Sequence, residues 1–294
     1  MVRQVINIEG VEARRRSVSQ INTYLACSEM YRLQRRTPGE VVTQTPAAWF
    51  EMGTAIHHVI ELWEKWGRQG TIEQARTMFT QKYDELINET LNSTRVESDS
   101  WLTGSRKPGS VDIADRRVRG QDHVERYIEH ALGSAQEWRI ATINGEPAVE
   151  VEFKIELGGV PVYGFIDQVV ETRDGLIYPR DIKTGTRRPD SPLQLAVYAV
   201  ALNKLFGHTV TTGAYVMTKD QWDNMEHFEP LDQWAEETLA NMFYKFDIAE
   251  RAGVYIPNVG SHCRVCTVKD FCTLMGQPEK AVLAQNPARV QETA

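Results

Sequence analysis

Acidic residues stand inside apolar, β-branched segments of this chain, where a carboxylate is costly unless it has a partner. Asp167 lies in the run GFIDQVV, and Asp181 lies in YPRDIKTG, two positions before Lys183. Side chains two apart in a strand share a face, so Asp181 and Lys183 point the same way. Carboxylates that converge beside a lysine form a site for Mg²⁺, which can activate water for phosphoester hydrolysis. For Asp181 and Lys183 alone, a solvated surface ion pair is the alternative.

Three consecutive segments are predicted to be strands that position these residues. Alternation and enrichment in Val, Ile and Phe indicate strands over Val149–Leu157, Val160–Thr172 and Leu176–Lys183. Asp174-Gly175 is a strong hairpin signal between the second strand and the third. Helical spacing then begins after a proline-bracketed loop and runs over Leu193–Phe206.

The length of the hairpin loop decides whether the two aspartates share a face. A two-residue loop would pair Asp167 with Ile182 and send the aspartates to opposite faces of the sheet. A three-residue loop that ends in a left-handed Gly175, or a bulge at Pro179, would pair Asp167 with Asp181. A shared metal site therefore requires an odd-numbered loop or a bulge.

Two further elements carry residues that could complete the site. Glu150 and Glu152 are expected to share a face of the first strand. Ala47 to Trp66 is predicted to be a helix on which His57 and Glu61, four apart, share a face. A lone histidine on a helix is more often a structural group than a ligand.

These motifs, in this order, resemble the RecB-type nuclease domain of the PD-(D/E)XK superfamily. The residues that match G-x-x-D, D-x-K-T-G and Q-x-x-x-Y are Gly164, Asp167, Asp181, Lys183, Gln194 and Tyr198, and the run from Gly53 to His57 resembles the family's upstream helix motif. The resemblance implies a restriction-endonuclease-like α/β fold, in which a small mixed sheet is flanked by helices and carries a helical insertion and an iron–sulfur region.

The resemblance also implies a role for each matching residue. The metal ligands would be His57, Asp167, Asp181 and the backbone carbonyl of Ile182, holding Mg²⁺ or Mn²⁺. Lys183 would position water and stabilise developing charge, while Gln194 and Tyr198 would orient Lys183 or the substrate phosphate. Glu152 is preferred to Glu150 for a supporting catalytic role.

Four cysteines form a second group of candidate ligands. Cys263, Cys266 and Cys272 follow C-x2-C-x5-C, whereas Cys27 stands far upstream. In an intracellular protein this spacing favours metal binding over disulfides, and both zinc and iron–sulfur clusters accept four thiolates. The spacing of the cysteines does not distinguish a zinc ion from an iron–sulfur cluster. The cysteines resemble those of the iron–sulfur branch of the family, which implies a structural 4Fe–4S cluster.

The rest of the chain is predicted to form one domain. Residues 1–16 are interpreted as a loose arm, 17–276 as the nuclease domain, and 277–294 as a flexible tail. A polar loop with Arg116, Arg117 and Arg119 is predicted over Asn92 to Gly120, either contacting DNA or merely solvated. A fourth strand over Val210 to Met217 and a long helix over Leu231 to Gly253 follow.

Composition sets broad limits on function. The chain has 294 residues, 41% of them hydrophobic, and a formal net charge of −7, which argues mildly against a general nucleic-acid binder. It lacks an apolar signal core and any run long enough for a membrane span, so an intracellular, cytoplasmic protein is expected.

By resemblance, the expected activity is a metal-dependent exonuclease acting on single-stranded DNA in recombination, repair or spacer acquisition. A second copy of the chain or a recombination protein is a further possible partner. The rival hypotheses are a non-catalytic DNA-binding subunit and a zinc-stabilised phosphoesterase.

Overall fold

The computed structural model describes residues 15–35 and 42–285. In these ranges the helices are α1 (Val18–Ala26), α2 (Ser28–Arg35), α3 (Ala48–Lys65), α4 (Ile72–Thr94), α5 (Gly109–Gly133), α6 (Leu193–Phe206), α7 (Glu236–Arg251) and α8 (Pro278–Gln285). The strands are β1 (Trp138–Ile140), β2 (Thr142–Ile143), β3 (Glu146–Pro147), β4 (Val149–Leu157), β5 (Val160–Thr172), β6 (Ile177–Lys183), β7 (Thr212–Met217) and β8 (Glu226–Pro230). Strands β4 and β5 and helix α6 have the bounds that the sequence pattern predicts.

A mixed sheet forms the centre of the fold. Its order is β1-β5-β6-β7-β8, and β4 also pairs with β5. Strands β4 and β6 both run antiparallel to β5, whereas β7 runs parallel to β6 after the crossover through α6. Strands β2 and β3 form a separate hairpin. The predicted mixed α/β architecture is therefore confirmed.

The β5–β6 hairpin has the three-residue loop that a shared aspartate site requires. The Thr172 amide donates to the Leu176 carbonyl at 2.9 Å, so the loop consists of residues 173–175. Gly175 has φ of 86°, a left-handed conformation that glycine adopts without steric cost. The strands then pair Val169 with Pro179 and Gln168 with Arg180, without a bulge at the proline. Continuing this register sets the Asp167 position opposite Asp181.

Helices cover both faces of the sheet. Helices α1, α6 and α7 contribute to one apolar core with β4 and the first half of β5. Helices α3, α4 and α5 contribute to a second core with the central strands. Helix α6 is buried along most of its length, as expected for a helix that is apolar on nearly every side. This burial holds the start of α6 firmly beside β6.

The predicted loop over Asn92 to Gly120 is wrong, because α5 already begins at Gly109. Glycine acts here as a packing residue and not as a helix breaker: a Cβ at Gly120 would lie 1.9 Å from Phe79 Cζ. The arginines of this segment lie on the helix in ion pairs with neighbouring acids. Arg117 pairs with Asp84 at 2.8 Å and Arg116 with Asp112 at 2.6 Å.

The predicted arm and tail are both ordered where they are described. Arg16 is 3% exposed, and its guanidinium bonds to Asp247 at 2.6 Å and to Glu250 at 2.8 Å, both on α7. Its backbone also bridges to β5 beside Val162. Part of the predicted tail is helix α8, whose Lys280 pairs with Asp270 at 2.8 Å. The remainder of both segments lies outside the described residues.

The other expectations differ only in extent. Helix α7 begins at Glu236 rather than Leu231, and β7 begins at Thr212 rather than Val210. Within residues 15–35 and 42–285, no helix combines the length and hydropathy that crossing a bilayer would require.

Candidate functional site

The candidate active site lies at the fork where β5 and β6 separate. Their regular pairing runs up to Gln168 and Arg180. At the next position, the Asp167 Oδ2 atom accepts a hydrogen bond from the Ile182 amide at 2.8 Å. A carboxylate thus takes the place of a strand carbonyl, and it stays aimed at the backbone of β6.

Helix α3 brings a histidine to the same carboxylate. His57 Nδ1 lies 3.6 Å from Asp167 Oδ2, the same oxygen that accepts from the Ile182 amide. Gly53, one turn earlier, permits this approach: a Cβ there would lie 3.1 Å from the Thr184 hydroxyl that follows β6. The glycine of the helix motif therefore sets how closely α3 packs against the end of β6.

Glu150 on β4 completes a compact group with these two residues. The ligand atoms of His57, Glu150 and Asp167 all lie within 4.8 Å of one another. Among the residues that the structure describes, this is the only such group of three or more His, Cys, Asp or Glu side chains. The carboxylate oxygens of this group suit Mg²⁺ or Mn²⁺.

Asp181 and Lys183 form the other half of the site. Lys183 Nζ lies 2.5 Å from Asp181 Oδ2, and Asp181 is 1% exposed. Apart from this ion pair, the Asp181 Oδ2 atom has no hydrogen-bond partner among the described residues. A buried carboxylate oxygen with one cationic neighbour retains a lone pair for a metal ion.

A hydrogen-bonded chain orients the lysine from α6. Lys183 Nζ donates to Gln194 Oε1 at 3.0 Å, and Gln194 Nε2 donates to the Tyr198 hydroxyl at 2.7 Å. Gln194 and Tyr198 are four residues apart and so lie on one helix face. The lysine is therefore held between Asp181 and Gln194.

Two acids of the site, Asp167 and Glu150, retain protons more strongly than free carboxylates do. Burial, and next the charge of Asp181, raise the pKa of Asp167 well above its usual range. Burial, and next the charge of Asp167, raise the pKa of Glu150 to about 7. Burial lowers the pKa of His57 and favours the neutral imidazole that can ligate a metal. The protein thus holds more negative groups here than it can ionise without a cation.

Glu150, and not Glu152, is the glutamate that the structure brings to the site. Strand β4 pairs Val149 with Gln168 and Val151 with Ile166, so the Glu150 position faces that of Asp167. Glu152 is exposed and pairs with Phe165. Glu152 therefore lies two residues further along the strand from the site, and Glu150 itself has a left-handed φ of 53°.

A sequence signal for this choice does exist. Gly158-Gly159 can form a two-residue hairpin loop, and counting back from it sets Glu150 opposite Asp167. The observed pairing of Leu157 with Val160 follows this register.

The four cysteines line one cavity between α1, α2 and the C-terminal segment. Cys27 Sγ accepts hydrogen bonds from the amides of Met30 at 3.4 Å and Asn258 at 3.5 Å, and the Gly260 amide donates to Cys263 Sγ at 3.5 Å. All four thiols are free. Burial raises the pKa of Cys266, and so do the other three cysteines.

The chain is similar to known proteins over most of its length. A family model described as the PD-(D/E)XK nuclease superfamily matches residues 15–273. The chain is 34% identical over 265 residues to the Gene 69 protein of Mycobacterium phage D29, covering 87% of this chain and 96% of that protein. It is 31% identical over 282 residues to the Gene 69 protein of Mycobacterium phage L5, covering 87% and 95%.

Among solved structures, SSO0001 aligns at 16% identity over 77% of this chain and 96% of that one. Its TM-score of 0.34 does not establish a shared arrangement.

Proposed function

Because the chain belongs to the PD-(D/E)XK nuclease superfamily, we propose that it is a Mg²⁺- or Mn²⁺-dependent exonuclease that degrades single-stranded DNA. The main support for this proposal is the set of side chains at the fork between β5 and β6. There Asp167 meets His57, and Asp181 is paired with a lysine that α6 orients. A merely structural ion pair would not need a neighbouring group of three further ligands.

The side chains divide into those that hold the cation and those that act on the phosphate. Asp167, Asp181 and His57 would hold the metal, with Glu150 beside them and the Ile182 backbone at the same point. The bound cation would supply Lewis-acid stabilisation of phosphate charge and lower the pKa of a water molecule.

Lys183 would orient the attacking water and offset the negative charge that develops on the phosphate. Its ion pair with Asp181 and its hydrogen bond to Gln194 limit the rotation of the ammonium group. Tyr198 positions Gln194 in turn. Since the tyrosine acts through its neighbours, we assign it a positioning role and not a chemical one.

Digestion of end-labelled DNA tests the proposal. Linear single-stranded, linear duplex and circular single-stranded DNA, together with matched RNA, are incubated with Mg²⁺, Mn²⁺ or chelator. We expect loss of the linear single strand with either metal, sparing of the circle, and no cleavage in chelator. Cutting of the circle would refute exonuclease action, and cleavage in chelator would refute metal dependence.

A lysine pair supplies the matched variants for this assay. Lys183→Ala should lower the rate by about 10²–10³-fold, the typical cost of losing one transition-state donor. Lys245→Ala, an exposed lysine on α7, should not change it. Equal rates for Lys183→Ala and the wild type would reject the assignment. If the wild type binds DNA without cleaving it, the hypothesis of a non-catalytic DNA-binding subunit would replace the nuclease proposal.

We also propose that the four cysteines hold a 4Fe–4S cluster. A single zinc ion, with Zn–S of about 2.3 Å, would require tetrahedral thiolates about 3.8 Å apart. No three of these thiols lie within 4.8 Å of one another. A cluster binds each thiolate through a different iron and so accepts wider spacing. The amide hydrogen bonds to Cys27 and Cys263 also suit cluster thiolates, whose properties such bonds tune.

Metal and sulfide analysis of anaerobically purified protein tests the cluster. The proposal predicts a brown protein with about four iron atoms and four sulfides per chain. Cys27→Ser should lose colour and melt at a lower temperature, because Cys27 ties α1 to the C-terminal segment. Zinc without iron would favour the zinc-stabilised alternative, and a brown Cys27→Ser protein of unchanged stability would remove Cys27 from the ligand set.

A further inference from the structure

An open cavity of roughly 600 Å³ lies directly over the candidate metal site. Its floor includes His57 and Glu150, and its wall includes two aromatic residues at the start of α3, Trp49 and Phe50. The cation Lys82 of α4 lies on the same cavity. Aromatic and cationic groups thus share one opening with the residues that would bind the metal.

The geometry of α3 places these aromatic residues at a defined distance from the candidate metal site. Phe50 and His57 are seven residues apart, which is two turns of α3 on one face and about 10 Å along the axis. Gly53 and Thr54 lie between them and also line the cavity. The glycine contributes no side chain, so the path from Phe50 to His57 stays open.

The aromatic residues are available for a ligand. Phe50 is 55% exposed, and its ring centroid lies 5.6 Å from that of Trp49 at an angle of 53°. Arg116 Cζ lies 5.5 Å above the Trp49 ring, while its guanidinium bonds to Asp112. Exposed aromatic rings can stack on nucleobases, and neighbouring cations can bind phosphates. Trp49, Phe50 and Lys82 therefore give the opening of the candidate metal site the chemistry that recognises single-stranded nucleic acid.

We propose that Trp49 and Phe50 form a stacking platform for an unpaired nucleobase, one or two nucleotides from the phosphate at the metal site, with Lys82 contacting the intervening backbone. The inference rests on the nuclease function proposed above and locates its substrate contact. In a duplex both faces of a base are already stacked, so the platform selects single strands or frayed ends.

Kinetics with a matched pair of phenylalanines test the platform. Phe50→Ala should raise KM for single-stranded DNA about 5- to 100-fold, the usual range for one lost base–aromatic stack, with kcat changed less than about threefold. Phe228→Ala removes a phenylalanine that is 54% exposed on the distant strand β8 and should leave KM unchanged. Phe50→Trp should restore the wild-type KM, which a merely steric role would not predict.

Abasic substrates identify the occupant. In wild-type protein, one abasic site at the stacking position should raise KM as far as Phe50→Ala does, while the same abasic site should add nothing in Phe50→Ala. Equal KM for wild type and Phe50→Ala, or an abasic effect of full size in both, would overturn the platform.

Binding to an inactive protein separates this inference from the function on which it rests. Fluorescence anisotropy in the Lys183→Ala background should show the same rise in Kd for Phe50→Ala, and none for Phe228→Ala. If the wild type cleaves nothing while Phe50→Ala still weakens binding, the nuclease function fails and the platform stands. If the wild type cleaves DNA and Kd is unchanged, the platform alone is refuted.

Discussion

Replacing Glu150 with glutamine should make the metal-free protein more stable, which is the opposite of what most substitutions in a packed region do. The ligand atoms of Glu150 and Asp167 lie within 4.8 Å. Raising the pKa of Glu150 from 4.5 to about 7, through burial and the neighbouring Asp167, costs its ionised form about 3 kcal/mol. Glutamine keeps the shape and the backbone of residue 150 but removes one charge. For a chain of this size the gain corresponds to roughly 5 °C in Tm.

The gain should depend on pH in a predictable direction. Because the pKa of Glu150 is raised to about 7 in the folded state, the folded protein binds more protons than the unfolded chain between the two pKa values. The contribution of Glu150 to the free energy of unfolding of the metal-free protein is therefore greatest below about pH 4.5 and falls as the pH rises to about 7. Glu150→Gln should exceed the wild type by less than about 1 kcal/mol at pH 5 and by about 3 kcal/mol at pH 8.

Thermal unfolding in chelator at both pH values measures this difference. Glu152→Gln is the control, since Glu152 is exposed on the same strand and should change Tm at neither pH. Adding Mg²⁺ should reverse the order at pH 8, because the wild type gains more binding free energy than a variant with one carboxylate fewer. A Glu150→Gln protein that is less stable than wild type in chelator at pH 8, or equally shifted at pH 5, would refute the reasoning.

Two further substitutions test the fold that supports the site. Arg16→Ala should lower the free energy of unfolding by about 1.5–3 kcal/mol, because it removes the buried guanidinium that bonds to Asp247 and Glu250, while Arg251 still pairs with Asp247 at 2.7 Å; a loss below about 1 kcal/mol in urea melts would contradict this. Gly120→Ala should cost at least about 1–3 kcal/mol, since the new Cβ would lie 1.9 Å from Phe79, and a neutral effect would show that α4 and α5 can separate freely.

Much of the sheet and part of the site followed from local pattern. Strands β4 and β5 and helix α6 have the expected bounds, because alternation and helical spacing are properties of short segments. The left-handed Gly175 closes a three-residue loop, one of the two arrangements that the aspartate pair required. The two-residue period of a strand sufficed to put Asp181 and Lys183 on one face. The family motifs then indicated His57, Gln194 and Tyr198.

Tertiary structure decided what depended on contacts between distant segments. The choice of Glu150 over Glu152 depends on which end of the β4–β5 hairpin meets the fork, where the Glu150 position faces Asp167. Glycine is common in loops, so Gly120 favours the prediction of a loop. In the structure Gly120 lies on α5 against Phe79, and only this contact explains why a glycine is needed there. Arg16 belongs to the predicted loose arm, yet its partner Asp247 comes 231 positions later in the chain. Sequence pattern specifies which residues share a face, whereas burial and long-range pairing determine which of them meet.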